Sequence, residues 1–318
     1  IKDNLAEDGS RYGTQKVLVK MTTGTYKGKE KQAINPSGTL FGADCKVGAR
    51  IIVIVNKSGT NTGFTVYSQD RTMAIYGFAL IFAAVVCAIG GKKGVYAILS
   101  LVFAFACIIG IMFPMMYRGI SPIVLTIIVA VLTTIVTLGL LGGYSSKTVS
   151  AILGTAIGVV IAAVAAMVFG KAAGITGYNV SDIEALNYVG QNTKIKIGEL
   201  LFAGIIISAL GAVMDVGMSI ASTIQEIYET DKTLSMKRLF VSGINVGRDM
   251  MGTMTNTLIF AYVGGAMTTL VINYAYDLSY RQLANSYVIG IEIMQGLSGS
   301  LGVVLTAVSY THLTLPTT

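Results

Sequence analysis

Seven apolar runs, each close to the length that crosses a bilayer, follow Arg71 and leave this chain few folds to choose from. They extend over about Met73 to Ile89, Val95 to Phe113, Pro122 to Leu141, Val149 to Phe169, Gly198 to Ala221, Met250 to Ile272 and Ser286 to Val308. A hydrocarbon layer about 30 Å thick takes roughly 20 helical residues, and in lipid a backbone satisfies its polar groups only inside a helix or a closed barrel. The short connections GGKKG, PMMYRGIS and GGYSSKT fold the first four runs into tight helical hairpins. Composition agrees: 53% of the residues are hydrophobic and 12% charged, against about 25% charged in soluble domains. The expected fold is a membrane all-α protein, a polytopic bundle of about seven transmembrane helices.

Ahead of the runs, residues 1–70 read differently. From Val17 to Val66, β-branched stretches such as KVLVK and ARIIVIV alternate with GTYKGK, NPSGT and NKSGTNTG, which predicts a small β domain. Lys27, Lys29 and Lys31 alternate as a solvated basic face. Residues 71–308 form the expected helical bundle. The last ten, SYTHLTLPTT, read as adaptor read-through and not native sequence, so His312 is set aside. Because the chain opens on Ile1 in polar sequence, an upstream portion is expected to be missing. The basic residues of the connections set a small asymmetry. Lys92, Lys93, Lys147, Lys232, Lys237, Arg238 and Arg248 face one way, and Arg118, Lys171, Lys194, Lys196 and Arg281 the other. The first group is expected in the cytoplasm, which places the β domain outside.

Several chemistries are disfavoured. The net charge of +7 is scattered among loops, so no nucleic-acid partner is expected. Cys45, Cys87 and Cys107 have neither CxxC nor metal-ligand spacing, and His312 is the lone histidine, so no metal site, cofactor or hydrolytic triad is expected. No Walker A sequence is present. The chain is expected not to be an enzyme, although two intramembrane acids raise the weaker alternative of a catalytic dyad.

The informative residues are polar ones inside apolar runs. Asp215 lies in GAVMDVGMSIASTIQEI, and its insertion costs about 2.5–3.5 kcal/mol at a helix centre. Glu292 lies in the seventh run, and Thr253, Asn256 and Thr257 in the sixth. Carboxylates on a hydrated cavity bind protons or cations, with amide and hydroxyl oxygens completing a shell. The alternative is that Asp215 takes interhelical hydrogen bonds and only holds helices together. Arg248 and Asp249 sit at the membrane boundary as a charge pair, either a topology anchor or a substrate clamp. Gly154 and Gly158, one turn apart, predict close helix packing, whereas Gly211, Gly217 and Gly252 are compatible with packing or with a broken helix. Ser181 with Glu184 and Thr223 with Glu226 have capping-box spacing, so helices are expected to begin at both places, with Leu234 to Val246 lying in the headgroup layer.

The segments GAVMDVGMSIASTIQEI and GRDMMGTMTNTLIFAYVGGA, with TGTYKGK, NPSGT and KVGARIIVIV upstream, resemble the YibE/F family of multi-pass bacterial membrane proteins. The resemblance runs over nearly all of Val17 to Val308. It implies an integral protein of the bacterial plasma membrane, sometimes described as permease-like, with no established substrate. Family members usually begin with a further transmembrane helix that this chain lacks. The expected function is a transporter or permease of a small solute or ion, coupled through Asp215 and Glu292, with Asn256 and its threonines lining the path. The rival is a non-transporting scaffold whose external β domain docks an envelope protein; in either case the bilayer is the partner.

Overall fold

The computed structural model describes residues 14–36, 43, 45–58, 61–143, 145–180 and 182–314. They form two compact units, Ile1–Val85 and Val86–Thr318. The first carries a four-stranded sheet: β1 (Gln15–Lys20), β2 (Glu30–Asn35), β3 (Ile51–Ser58) and β4 (Asn61–Gln69), in the order β1-β2-β4-β3. β1 and β2 pair antiparallel, as do β3 and β4, while β2 and β4 run parallel. Period-two alternation puts Val17, Ala33, Phe64 and Val66 on the buried face, with Tyr26 edge-on to Phe64 at 5.3 Å. Of the three alternating lysines, Lys31 lies over the Phe64 ring at 5.9 Å. The opposite face exposes Leu18, Ile34, Ile52 and Ile54.

β4 ends at Gln69, where the sequence changes character, and ten α-helices follow among the described residues. They are α1 (Thr72–Cys107), α2 (Phe113–Tyr117), α3 (Pro122–Gly142), α4 (Ser146–Ala172), α5 (Ile183–Asn192), α6 (Leu200–Thr230), α7 (Met236–Gly265), α8 (Met267–Ala275), α9 (Tyr280–Ala284) and α10 (Tyr287–Thr314). Among the described residues five stretches are long and apolar enough to cross a membrane, or six if the bent pair α7–α8 counts as one. Outward-facing side chains such as Phe78, Phe82, Ile89 and Phe260 suit hydrocarbon better than water.

The first stretch, Thr72–Tyr117, is 46 residues long, about twice a bilayer's need. It is not one rod. At Gly91 the backbone leaves the helical region (φ 53°, ψ −130°), a conformation that only glycine enters freely. A Cβ on Gly94 would lie 2.2 Å from the carbonyl oxygen of Val86. Eight residues of straight helix separate two groups by about 12 Å, so the chain reverses at GGKKG.

Small residues set the packing of the rest. A Cβ on Gly158 of α4 would lie 1.8 Å from Thr306 Oγ1 of α10 and 2.8 Å from Val213 Cγ1 of α6. One on Gly302 would meet Ala162, the Gly158 carbonyl and Val213 at 3.0–3.3 Å. Gly217 approaches Thr155, and Gly247 approaches Ala307 and Ile220, in the same way. Without a hydrophobic drive between helices in lipid, such close approach maximises dispersion contact. These registers run α4 and α7 antiparallel to α6 and α10, and Ala203 packs with Leu125 and Val129 to bring in α3. The core is Val159, Ile206, Val213, Val216, Ile220 and Val303 with their neighbours.

Local signals act at the helix ends. Ser121 caps α3 ahead of Pro122, and its hydroxyl also donates to the Glu199 carboxylate; Ser145 caps α4. Three expectations are corrected. α6 does not end near Ala221: it runs on to Thr230, and the Thr223 hydroxyl, which was expected to cap a new helix, donates back to the Ser219 carbonyl at 2.9 Å. Nothing between Ala221 and Glu226 breaks a helix, so the capping spacing there is incidental. The segment Leu234 to Val246 is no separate surface helix, because α7 continues from Met236 through the hydroxyl-rich run. That run bends by 59° at Ala266, after the tandem Gly264–Gly265, and not at Gly252. α5 is present with Asp182 at its N-cap; Ser181 lies outside the described residues. α10 continues past Val308 to Thr314.

Candidate functional site

α6 carries two kinds of face. Its packed side presents Ala209, Val213, Val216, Gly217 and Ile220. On the other side Gly204, Ser208, Gly211 and Asp215 are all exposed, and half-buried Ser219 and Ser222 continue the row. Spacings of three and four residues put these six on one stripe. A Cβ at Gly204 or Gly211 would meet nothing within 4 Å, so the stripe is open. Asp215 makes no hydrogen bond or ion pair among the described residues. It therefore does not serve as a hydrogen-bonded rivet between helices.

Ser208 fixes where this stripe meets the neighbouring helices. Its hydroxyl donates to the Ile205 carbonyl at 2.9 Å and accepts from the Tyr262 hydroxyl of α7 at 2.7 Å. Tyr262 in turn stands against α10, with its ring 3.7 Å from where a Gly296 Cβ would be. One turn before Gly296 is Glu292. Tyr262 and Glu292 are among the residues lining a half-open, almost wholly apolar groove of about 220 Å³ between α7, α8 and α10 where α7 breaks at Ala266; Ile259, Val263, Leu270 and Ile293 supply its wall. The Glu292 carboxyl is half-buried and has no hydrogen bond or ion pair among the described residues.

The helix registers decide which polar residues share a level. Gly299 lies against Ala209 and Gly302 against Val213, an offset that puts Glu292 level with Phe202. Asp215 is about 13 residues further along α6, or ~20 Å at 1.5 Å per residue. On α7, Tyr262 meets Ser208 and Gly247 meets Ile220, so Thr253 and Asn256 are nearly level with Asp215. They point elsewhere, however. Thr253, Asn256 and Thr257 are exposed, opposite the side that carries Leu258 and Tyr262. Thr253 donates to the Asp249 carbonyl at 3.1 Å and Thr257 to that of Thr253 at 2.9 Å, which satisfies both hydroxyls within the helix. The structure thus does not bring Asp215, Asn256 and Glu292 into one cavity. Thr255, seven residues from Tyr262 on the same face, is the α7 hydroxyl level with Asp215. Arg248 and Asp249 are exposed and ion-paired neither to each other nor to any described residue.

Gly211 and Gly252, compatible in sequence with close packing, have open space around them, whereas Gly217 is packed. The candidate-site residues that the sequence alone did not single out are Ser208 and Tyr262. The available signal was spacing: Ser208 precedes Asp215 by seven residues, two helical turns on one face. Among the described residues no three His, Cys, Asp or Glu side chains gather as a metal site.

A family model described as YibE/F-like protein matches residues 78–315, three quarters of the chain. The chain belongs to this family. The match covers the reversal at Gly91, the α6 stripe and the α10 groove; the β sheet, Gln15–Gln69, precedes the matched residues of this YibE/F-like chain. Together with the apolar helices, membership makes it a multi-pass membrane protein. No curated protein and no solved structure matched in the corresponding searches.

Proposed function

We propose that this YibE/F-like chain is a permease of the bacterial plasma membrane that moves a small solute or ion, with Glu292 and Asp215 as two stations at different depths. One observation carries the reading. Ser208, hydrogen-bonded to Tyr262 beside the α7–α10 groove, stands on the same open stripe of α6 as Asp215. The polar row then continues through Ser219 and Ser222, so one face of one helix links the two acids. Intramembrane acids with room around them are functional by default, and a helix broken beside an acid is a recurrent transporter device.

The same reading gives seven crossings. Thr72–Gly90 and Lys92–Tyr117 count separately across the reversal, followed by α3, α4, α6, α7–α8 and α10. The alternating directions of α3, α4, α6, α7 and α10 support this path. Lys92, Lys93, Lys147 and the α6–α7 connection then lie in the cytoplasm, and the β domain outside.

The test is flux into proteoliposomes under imposed proton, Na⁺ and K⁺ gradients, read with entrapped dyes. Asp215→Asn and Glu292→Gln are each expected to reduce flux at least tenfold while the protein still elutes as a folded species. Unchanged flux in both refutes coupling through these acids. The rival, a scaffold docking an envelope protein, is favoured by the apolar sheet face of Leu18, Ile34, Ile52 and Ile54. It predicts silent acid substitutions and loss of phenotype on deleting Val17 to Val66.

A further inference from the structure

The outer face of the four-stranded sheet is poorly suited to water. Strand register sets Lys16, Ile34, Thr65 and Ile54 side by side in one row across all four strands. Leu18 lies in the next row, and alternation along β3 and β4 adds Ile52 and Tyr67 on the other side. Leu18 is 70% exposed, and Ile34, Ile52, Ile54 and Tyr67 are 43–53% exposed. The solvent face of such a sheet ordinarily alternates to polar residues, so a contiguous apolar patch marks a contact surface.

Charge narrows what makes the contact. From Gln15 to Arg71 the sequence carries nine Lys and Arg against three acids, +6 of the chain's net +7. Lys16 and Lys20 flank Leu18 at two-residue spacing, on the same face. A soluble polyanion would satisfy the lysines and leave the aliphatic side chains in water. An anionic phospholipid surface takes both, with phosphates for the lysines and the headgroup–acyl boundary for the aliphatics.

Position supplies the rest. β4 ends at Gln69, and α1, the first apolar helix, begins at Thr72. The joint has little slack: the Asp70 amide donates to the Arg50 carbonyl at 2.9 Å, and the Asp70 carboxylate accepts from the Thr72 amide at 3.0 Å. The sheet and the first turns of α1 also belong to one compact unit. Lipid is therefore held beside the sheet at a local concentration that no untethered partner matches. Register places Leu18 level with Gly63, six residues and ~20 Å along β4 from Gln69. A sheet standing on end would hold Leu18 well beyond the headgroups, whereas one lying flat sets it among them.

We propose that the sheet lies flat along the bilayer, with Leu18, Ile34, Ile52, Ile54 and Tyr67 in the headgroup layer of anionic phospholipid and Lys16 and Lys20 against its phosphates. The inference does not rest on the permease reading. It gives to lipid the face that the scaffold reading gives to an envelope protein.

The experiment uses the full chain in lipid nanodiscs. The sequence contains no Trp, so Leu18→Trp and Ile54→Trp each place a single fluorophore at an exposed position of this face, and Thr62→Trp places one, also exposed, on the opposite face. In nanodiscs containing phosphatidylglycerol, lipid brominated on its acyl chains should quench Leu18→Trp and Ile54→Trp at least twofold and leave Thr62→Trp nearly unquenched. In phosphatidylcholine alone, quenching of the first two should fall at least twofold. Hydroxyl-radical footprinting of the wild type needs no variant: Leu18 and Tyr67 should be modified at least twofold less in phosphatidylglycerol than in phosphatidylcholine. A Leu18→Trp that acrylamide reaches and brominated lipid does not, quenching equal in the two lipids, or equal footprints would each overturn the proposal. Leu18 open in nanodiscs but shielded in native membrane vesicles would overturn it in favour of the scaffold reading.

Discussion

Gly158→Ala adds one methyl group to α4, and the structure allows its cost to be worked out. The new Cβ would lie 1.8 Å from Thr306 Oγ1, 2.8 Å from Val213 Cγ1 and 3.0 Å from the Gly302 carbonyl oxygen, where ordinary contacts begin near 3.4 Å. Val213 can shift a little, but Gly302 offers backbone. The Thr306 hydroxyl is held by its hydrogen bond to the Gly302 carbonyl at 2.7 Å, so moving it aside gives up that bond. Losing the bond costs about 0.5–1.5 kcal/mol and overpacking about 1–3 kcal/mol, for a total of roughly 1.5–4.5 kcal/mol. Gly252→Ala is the matched control: nothing lies within 4 Å of that Cβ, and better helix propensity should make it neutral or up to about 1 kcal/mol stabilising. The assay is unfolding in mixed micelles at increasing SDS fraction, followed by far-UV circular dichroism. Thr306→Ala in the Gly158→Ala background removes the 1.8 Å clash and should recover part of the loss. Were Gly158→Ala as stable as the wild type, or the double mutant to show no coupling, the α4–α6–α10 contact described here would be wrong.

Three further substitutions test the other devices. At Gly91, alanine must adopt φ 53°, ψ −130°, a strain of about 1–3 kcal/mol, and at Gly94 its methyl would strike the Val86 carbonyl. Both should destabilise in the same unfolding assay, and neutrality of both would remove the reversal. In the α6–α7 connection, the Asp231 carboxylate accepts from the Thr233 hydroxyl and from its amide at 2.9 Å, and these bonds hold its pKa below the usual carboxylate range. A lowered folded pKa means that the contribution is complete above the unfolded value, about 3.9, and fades as pH falls through the folded one. Protection of the Thr233 amide from exchange, taken relative to its intrinsic rate at each pH, should therefore fall below about pH 4, and Asp231→Asn should abolish that dependence; an unchanged profile in the variant would contradict it.

How legible the molecule was in its sequence depended on whether the information was local. Run length and polar punctuation located the long apolar helices, because a chain that enters lipid must satisfy each run's backbone within that run. The strands followed from alternation and turn residues. Helix continuity was misread at Thr223, where a capping spacing matched although no breaker preceded it. The sixth run broke after Gly264–Gly265, and Gly252 did not break at all, since one glycine in a well-formed turn costs too little to end a helix. At the candidate site the acids stood out as anomalous residue types. Their separation did not, because it depends on the offset of α10 against α6 set by Gly299 on Ala209 and Gly302 on Val213. Ser208 and Tyr262 were invisible for a related reason: serine and tyrosine are ordinary in such helices until a neighbouring register pairs them.

The two kinds of glycine in this chain bear directly on the permease reading. Gly158, Gly217, Gly247 and Gly302 are pressed against neighbouring helices, so their lost helix propensity is offset by packing. Gly204 and Gly211 sit in helix interior with nothing near, giving up about 1 kcal/mol each relative to alanine and gaining no contact. What they provide is room, beside Ser208 and between Ser208 and Asp215. Gly211→Leu is then a discriminating change. It adds an apolar side chain on the polar stripe without touching either acid, and by helix propensity it should leave stability unchanged or raise it by up to about 1 kcal/mol. If solute or ions follow this face, flux should fall at least tenfold in a protein that unfolds no more easily than the wild type. Full flux through the Gly211→Leu protein would mean that the α6 stripe is not the route, even if Glu292 and Asp215 both prove essential.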